Sequence, residues 1–297
     1  MSAWISLASN RLNLRISPRG GAIVDGHTVD GVPFLRPYTS RAAYDVADCA
    51  CFPLVPIGNR VEDNAFSFGG RMVTLSPNAA DPLYIHGDGW LGTWEIGEHG
   101  ADHVGLSFDK AADTASPYAY RARQSFQLAG ARVELHLSVE NTGTSALPFG
   151  VGFHPFFPRT PLATLSAPAQ AWWTERDGHL PANRDAIAED VDFSTARLLP
   201  DRWLNNGFEG WNGVARIVWP ELCLGVEIEA DATLGRRYML YAPDGDKSFF
   251  CFEPMSHTPN ALKHCETDLM GLKVLAPGET LRAGLAMTVF DWSESNV

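Results

Sequence analysis

Four short stretches of this 297-residue chain concentrate polar side chains among glycines and aromatics: "PIGNRVEDN", "YIHGDGW", "GFHPFF" and "FFCFEPMSHTPNA". They carry Arg60, His86, His154 and Glu253. Taken singly, each has an ordinary reading: His154 as a core histidine with both nitrogens satisfied, Arg60 as a turn arginine, His86 as part of a turn made by Gly87 and Gly89. Glu253 is harder to place, because Phe249, Phe250, Cys251 and Phe252 deliver it along an apolar run that stops at Pro254. A carboxylate at the end of a buried strand is costly unless it is paired or used. One carboxylate, two histidines and an arginine, set among phenylalanines and tryptophans, suit acid–base chemistry on a sugar. Polar groups bind hydroxyls, aromatic faces cover the C–H side of the ring, and a proton donor and acceptor flank the reacting atoms.

Other chemistries lack their residues. There is no GxSxG elbow, no phosphate-binding GxxxxGKS/T loop, no GxGxxG opening a helix and no HExxH. His257 and His264 lie seven apart in a proline-containing stretch, and His86 and His154 stand alone, so no metal-ligand spacing is present and no metal or cofactor is expected. The five cysteines are odd in number and form no CxxC pair, and read as reduced thiols. With 35 acidic against 23 basic residues the formal charge is -12, which repels phosphate backbones and anionic headgroups and argues against nucleic-acid or membrane partners. No apolar run approaches the roughly 20 residues of a membrane span, and the N-terminus has no signal-peptide pattern, so a soluble, cytoplasmic protein is expected.

The elements that must position these residues are strands. Apolar and polar residues alternate in "RLNLRIS", "HVGLSFD", "YRARQSFQL", "ARVELHLSVEN", "ARIVWP", "LCLGVEIEAD" and "LRAGLAMTVF". In the fourth of these, Val133, Leu135, Leu137 and Val139 share one face while Glu134, His136, Ser138 and Glu140 share the other, and "NTGT" supplies the turn. No segment keeps a helical period for three turns, and 20 prolines and 27 glycines punctuate the whole length. The pattern predicts an all-β chain, a large antiparallel sandwich forming a single domain over residues 1–297. The longest stretch without clear alternation, from about Thr160 to Trp211, reads as an irregular loop and a candidate wall of the site.

With these motifs in hand, the chain resembles the aldose 1-epimerases, or galactose mutarotases, from "GNR" through "IHGDGW" and "GFHPFF" to "FCFEP" in the family's order. The resemblance implies a β-supersandwich and the interconversion of α and β anomers of a free aldohexose or related aldose, without cofactor or metal. It implies Glu253 as general base, His154 as general acid, and Arg60 and His86 as sugar ligands. Ordinary pKa values of about 4.3 for Glu and about 6.5 for His then suit a charged base and an available acid near neutrality. One departure concerns a sugar-binding aspartate that the family carries shortly before a phenylalanine. Here the region reads "LNNGFEGW", which puts Asn205 in that place, with Glu209 and Asp201 as nearby alternatives. Asp88 and Trp90, in the altered "HGDGW" stretch, are candidate specificity residues. The alternatives are a hexose-6-phosphate mutarotase or epimerase, for which Arg60 and Arg71 would have to bind phosphate, and a non-catalytic carbohydrate-binding protein on the same fold.

Overall fold

A computed structural model describes residues 4–39 and 43–293. Two large antiparallel sheets dominate it. The first has ten strands, in the spatial order Ile5–Ala8, Leu12–Ser17, Ala22–Thr28, Cys51–Leu54, Gly152–Pro158, Phe249–Pro254, Arg237–Ala242, Leu204–Glu209, Ala171–Arg176 and Leu180–Asp185. The second has nine, in the order Arg197–Leu198, Thr164–Ser166, Val214–Trp219, Leu224–Ala230, Thr280–Asp291, Arg132–Asn141, Tyr120–Ala129, His103–Lys110 and Glu95–His99. The only helical elements among the described residues are short 3-10 turns. All five cysteines are free thiols.

The alternating segments become strands as expected, because a strand exposes successive side chains to opposite faces and only one face of the nine-stranded sheet, which holds all of them but Leu12–Ser17, meets the core. Val133, Leu135, Leu137 and Val139 are buried, whereas His136 is exposed. One continuous core joins the two sheets, with Leu14 and Phe153 from the first packed into the same cluster as Leu135 and Val226 from the second.

The middle of the ten-stranded sheet is different. Cys51–Leu54 and Gly152–Pro158 are buried at every position, so they show no polar alternation. A second apolar cluster, including Phe52, Trp90, Phe156, Cys251 and Met255, covers the face of this sheet turned away from the main core. The candidate site opens on that face.

The stretch from Thr160 to Trp211 is not an irregular loop. It forms five strands: Thr164–Ser166, Ala171–Arg176, Leu180–Asp185, Arg197–Leu198 and Leu204–Glu209. The first and fourth extend the nine-stranded sheet and the others the ten-stranded one. Their alternation is weak because they lie at or near sheet edges, where polar and aromatic side chains replace an apolar face.

Candidate active site

The floor of the site is set by strand register. Phe156 pairs with Cys251, and continuing that antiparallel register by two residues sets His154 across from Glu253. His154 also pairs with Phe52 on its other side, and Glu253 with Met239. The result is a row of side chains on one sheet face in which His154 Nε2 lies 3.2 Å from Glu253 Oε1. The imidazole is held in a ring stack: its centroid is 4.6 Å from Phe52 and 4.6 Å from Phe156, with interplanar angles of 29° and 24°. The guanidinium of Arg36 caps that stack, 3.8 Å from the centre of the Phe156 ring. Both members of the pair are buried, yet His154 Nδ1 and Glu253 Oε2 have no hydrogen-bond partner among the described residues. Buried polar atoms without partners are uncommon, and here two of them fall on facing side chains.

The near wall comes from the two glycine-containing turns. Arg60–Val61 and Tyr84–Ile85 form a two-stranded ladder that places Arg60 opposite Ile85 and so next to His86. Asn59 and His86 clasp each other through two hydrogen bonds. The Asn59 N–H donates to His86 Nδ1 at 3.2 Å, and the His86 N–H donates to the Asn59 carbonyl at 3.1 Å. Because Nδ1 accepts, the neutral ring carries its proton on Nε2. Gly87 has φ +74, and a Cβ there would lie 2.0 Å from the carbonyl oxygen of Val55, so only glycine allows the turn that presents His86. Arg60 Nε and the terminal nitrogen Nη2 both lie 2.8 Å from Asp81 Oδ2.

The far wall is made by His179, Trp203, Asn205 and Tyr241. Cross-strand pairing sets Cys251, Tyr241 and Asn205 in one row of the sheet, beside the row of His154 and Glu253. Trp203 and Tyr241 meet edge to face at 5.3 Å. His179, at φ +58, sits in the tight turn between the two outermost strands of the sheet. Together the walls and floor enclose a cavity of about 240 Å³, below the roughly 300 Å³ at which pockets for drug-sized ligands begin. Three larger hollows, about 300, 590 and 900 Å³, lie elsewhere on the surface and contain no buried titratable side chain among the described residues.

All five candidate residues, Arg60, His86, His154, Asn205 and Glu253, line the one cavity. The alternatives to Asn205 do not: Glu209 is tied to Arg184 and Thr258, and Asp201 pairs with Lys247 at the surface. Asp88 and Trp90 do not line it either. Asp88 accepts from the Tyr84 hydroxyl at 3.0 Å, and Trp90 stacks on Phe52 and donates to the Ile85 carbonyl. Arg71 lies on an exposed hairpin that borders the largest hollow, so it cannot join Arg60 in a phosphate pocket. Sequence reasoning missed Asn59, His179, Trp203 and Tyr241. The aromatic, strand-poor character of 160–211 was the signal for two of them, but nothing local singled out the positions.

The ordinary pKa values expected from sequence do not hold. Burial pushes the Glu253 carboxyl up to about 8, against the smaller opposing pull of the Arg60 charge. Burial, reinforced by His86 and Arg36, pushes the His154 imidazole well below its usual range. His86 is driven to about 3 by burial and by Arg60. Near neutrality the cavity therefore favours a neutral carboxylic acid beside a neutral imidazole, with one proton shared by the pair.

Cys251 Sγ, His154 and Glu253 bring ligand atoms within 4.8 Å of one another. The sequence hides this grouping, because it combines a strand alternation with a residue about a hundred positions away. Cys251 does not line the cavity, however, but lies in the apolar cluster beneath it.

The chain belongs to the aldose 1-epimerase family, whose model matches residues 4–288. It is 37% identical over 294 residues to an uncharacterised Escherichia coli K12 protein, YphB, covering 97% of this chain and 98% of that one. A crystal structure from E. coli K12, provisionally described as an aldose 1-epimerase, superposes with a TM-score of 0.91 at 36% identity over 97% of this chain and 99% of the other. A galactose mutarotase-like protein from Clostridium acetobutylicum shares the fold at a TM-score of 0.83 and 19% identity, over 97% of this chain and 95% of that one. No helix among the described residues is long and apolar enough to cross a membrane.

Proposed function

We propose that the protein is a cofactor-independent aldose 1-epimerase, an isomerase that equilibrates the α and β anomers of a free aldohexose or related aldose. One observation carries this reading: the 3.2 Å contact between His154 Nε2 and Glu253 Oε1 at the floor of the cavity. Anomerisation moves protons at O1 and O5, and both oxygens are bonded to C1. The acid and the base must then lie side by side, as these two groups do. Glycoside hydrolysis makes a different demand, two carboxylates about 5 Å or more apart, and Glu253 is the one carboxylate among the described residues that line this cavity.

The sequence of proton movements follows from the pair. Transfer of the shared proton from Glu253 to His154 gives a carboxylate and an imidazolium, a state that Arg60 and the incoming sugar hydroxyls stabilise. Glu253 takes the proton from the O1 hydroxyl as the C1–O5 bond breaks, and His154 gives its proton to O5. The products are the open-chain aldehyde, a neutral carboxylic acid and a neutral imidazole. This is the protonation state that burial favours, so the floor is electrostatically matched to the ring-opened species. Rotation about C1–C2 presents the other carbonyl face. Reclosure returns the O5 proton to His154 and the Glu253 proton to O1. Arg60 and His86 Nε2–H supply donors from the near wall. The five free thiols fit a reducing cytoplasm.

The test is polarimetry or proton NMR on freshly dissolved α-glucose, α-galactose and other aldoses, with protein dialysed against EDTA. Faster equilibration of at least one aldose by the dialysed protein is expected. Sugar binding without faster equilibration would leave a carbohydrate-binding protein. Recovery of activity only on adding zinc or manganese would make the group of His154, Cys251 and Glu253 a metal site and overturn the cofactor-free reading.

A further inference from the structure

Glu175 does not line the cavity, yet three residues that do are hydrogen-bonded to it. Its Oε1 accepts from Asn205 Nδ2 at 2.8 Å and from His179 Nδ1 at 2.6 Å, and its Oε2 accepts from Trp203 Nε1 at 2.6 Å. The side chain is 19% exposed. The pairing of this strand with Leu180–Asp185 shifts register between Trp173 and Glu175, with the extra residue on the Leu180–Asp185 side. An ionised carboxylate offers acceptors only, so each group facing it must donate. That requirement fixes the orientation of the Asn205 amide: its NH2 is held by Glu175 and its Oδ1, which has no partner among the described residues, is left for the cavity. The same constraint makes His179 Nδ1 a donor to Glu175 and occupies the Trp203 N–H, leaving only the apolar indole ring at the wall.

We propose that Glu175 is a positioning residue that makes the far wall of the cavity a hydrogen-bond acceptor surface, with Asn205 Oδ1 receiving a sugar hydroxyl where the resemblance places an aspartate. This rests on the aldose reading. The two walls then have opposite polarity, the acceptor on Asn205 facing donors on Arg60 and His86. A sugar with a hydroxyl pointing at Asn205 is held in one orientation over His154 and Glu253. A phosphorylated sugar gains nothing at a wall backed by a carboxylate, and the cation across from it, Arg60, is already paired with Asp81.

Three variants test the assignment: Glu175→Gln, Asn205→Asp and the two combined. In Glu175→Gln the new side-chain amide can donate as well as accept, so the Asn205 amide is free to turn and KM on the best aldose should rise about tenfold, with kcat within about twofold. Asn205→Asp alone places two carboxylates against each other and should also raise KM. In the double variant the introduced amide donates to the introduced carboxylate, the acceptor wall is rebuilt, and KM should return to within about threefold of wild type. The indole N–H resonance of Trp203 in 1H–15N spectra gives a second readout that needs no turnover. It should move upfield in both proteins that carry Glu175→Gln and stay in Asn205→Asp. Additive losses in the double variant, or a loss in kcat with KM unchanged, would overturn the positioning role. If wild type accelerates no anomerisation, sugar dissociation constants by titration calorimetry replace KM in the same comparison, so the wall is judged separately from the reaction.

Discussion

His154 and Glu253, 99 residues apart in the chain, meet across two neighbouring strands with Nε2 3.2 Å from Oε1, and each keeps its other polar atom without a partner among the described residues. The contact is made by backbone register and held by the stack of Phe52 and Phe156 on the imidazole, so it exists before any sugar arrives.

Removing either member should stop the chemistry and leave binding. Glu253→Gln keeps size and hydrogen bonding but cannot take the O1 proton, and His154→Asn removes the ring that protonates O5. Each should lower kcat by about a hundred- to ten-thousand-fold. Because both transfers belong to one ring opening, the double variant should be little worse than the poorer single one. Undiminished anomerisation by a folded, sugar-binding Glu253→Gln protein would sink the mechanism.

The pH profile should be the reverse of the one ordinary pKa values imply. The pair needs one proton to work. It loses that proton as pH rises through about 8, the raised value at Glu253, and takes up a second only well below the usual histidine range, where His154 is charged. For the free enzyme, kcat/KM should therefore be flat from about pH 6 to about pH 7, with its alkaline limb at about 8. A bell centred at about pH 5.4, midway between the ordinary glutamate and histidine values, would show that the cavity does not perturb the pair.

Stability should carry the same signature. In the folded chain Glu253 keeps its proton up to about 8, whereas an unfolded glutamate loses it at about 4.3, so the folded state binds more protons between these values and stability falls as pH rises across that window. Glu253→Gln removes the effect. Its Tm should exceed that of wild type by a margin that widens from about pH 5 to about pH 8. On the acid side the sign is opposite. His86 and His257 are held to about 3 and about 4 by burial, so the unfolded chain binds more protons below about 6.5 and both proteins should lose stability together as pH falls. Thermal scans at about pH 5, 6.5 and 8 check both limbs.

Gly87→Ala tests the near wall. The new Cβ would meet the Val55 carbonyl at 2.0 Å in a left-handed backbone conformation, so the turn must open and His86 must shift. A loss of about 1–3 kcal/mol in unfolding free energy is expected, with a raised KM. A variant that matches wild type in both would show that His86 does not depend on this turn.

Much of the fold was legible in the sequence because alternation is a local property. A segment such as Arg132–Asn141 must bury Val133, Leu135, Leu137 and Val139 on one side, whatever strand it pairs with. Glu253 stood out for a related reason: a carboxylate at the end of the apolar run Phe249–Phe252 is costly to bury unless it is paired or used. The tertiary structure decided the rest. Which residue of Gly152–Pro158 faces Glu253 depends on pairing between strands about a hundred residues apart, where one step of register would have turned His154 to the other face. The edge strands within 160–211 hid from the pattern because they lack a fully apolar face to bury. The inverted protonation of His154 and Glu253 arises from desolvation, and the direction of the Asn205 amide from one carboxylate at Glu175. Both are set by what surrounds a side chain in space, which no neighbouring letter in the chain specifies.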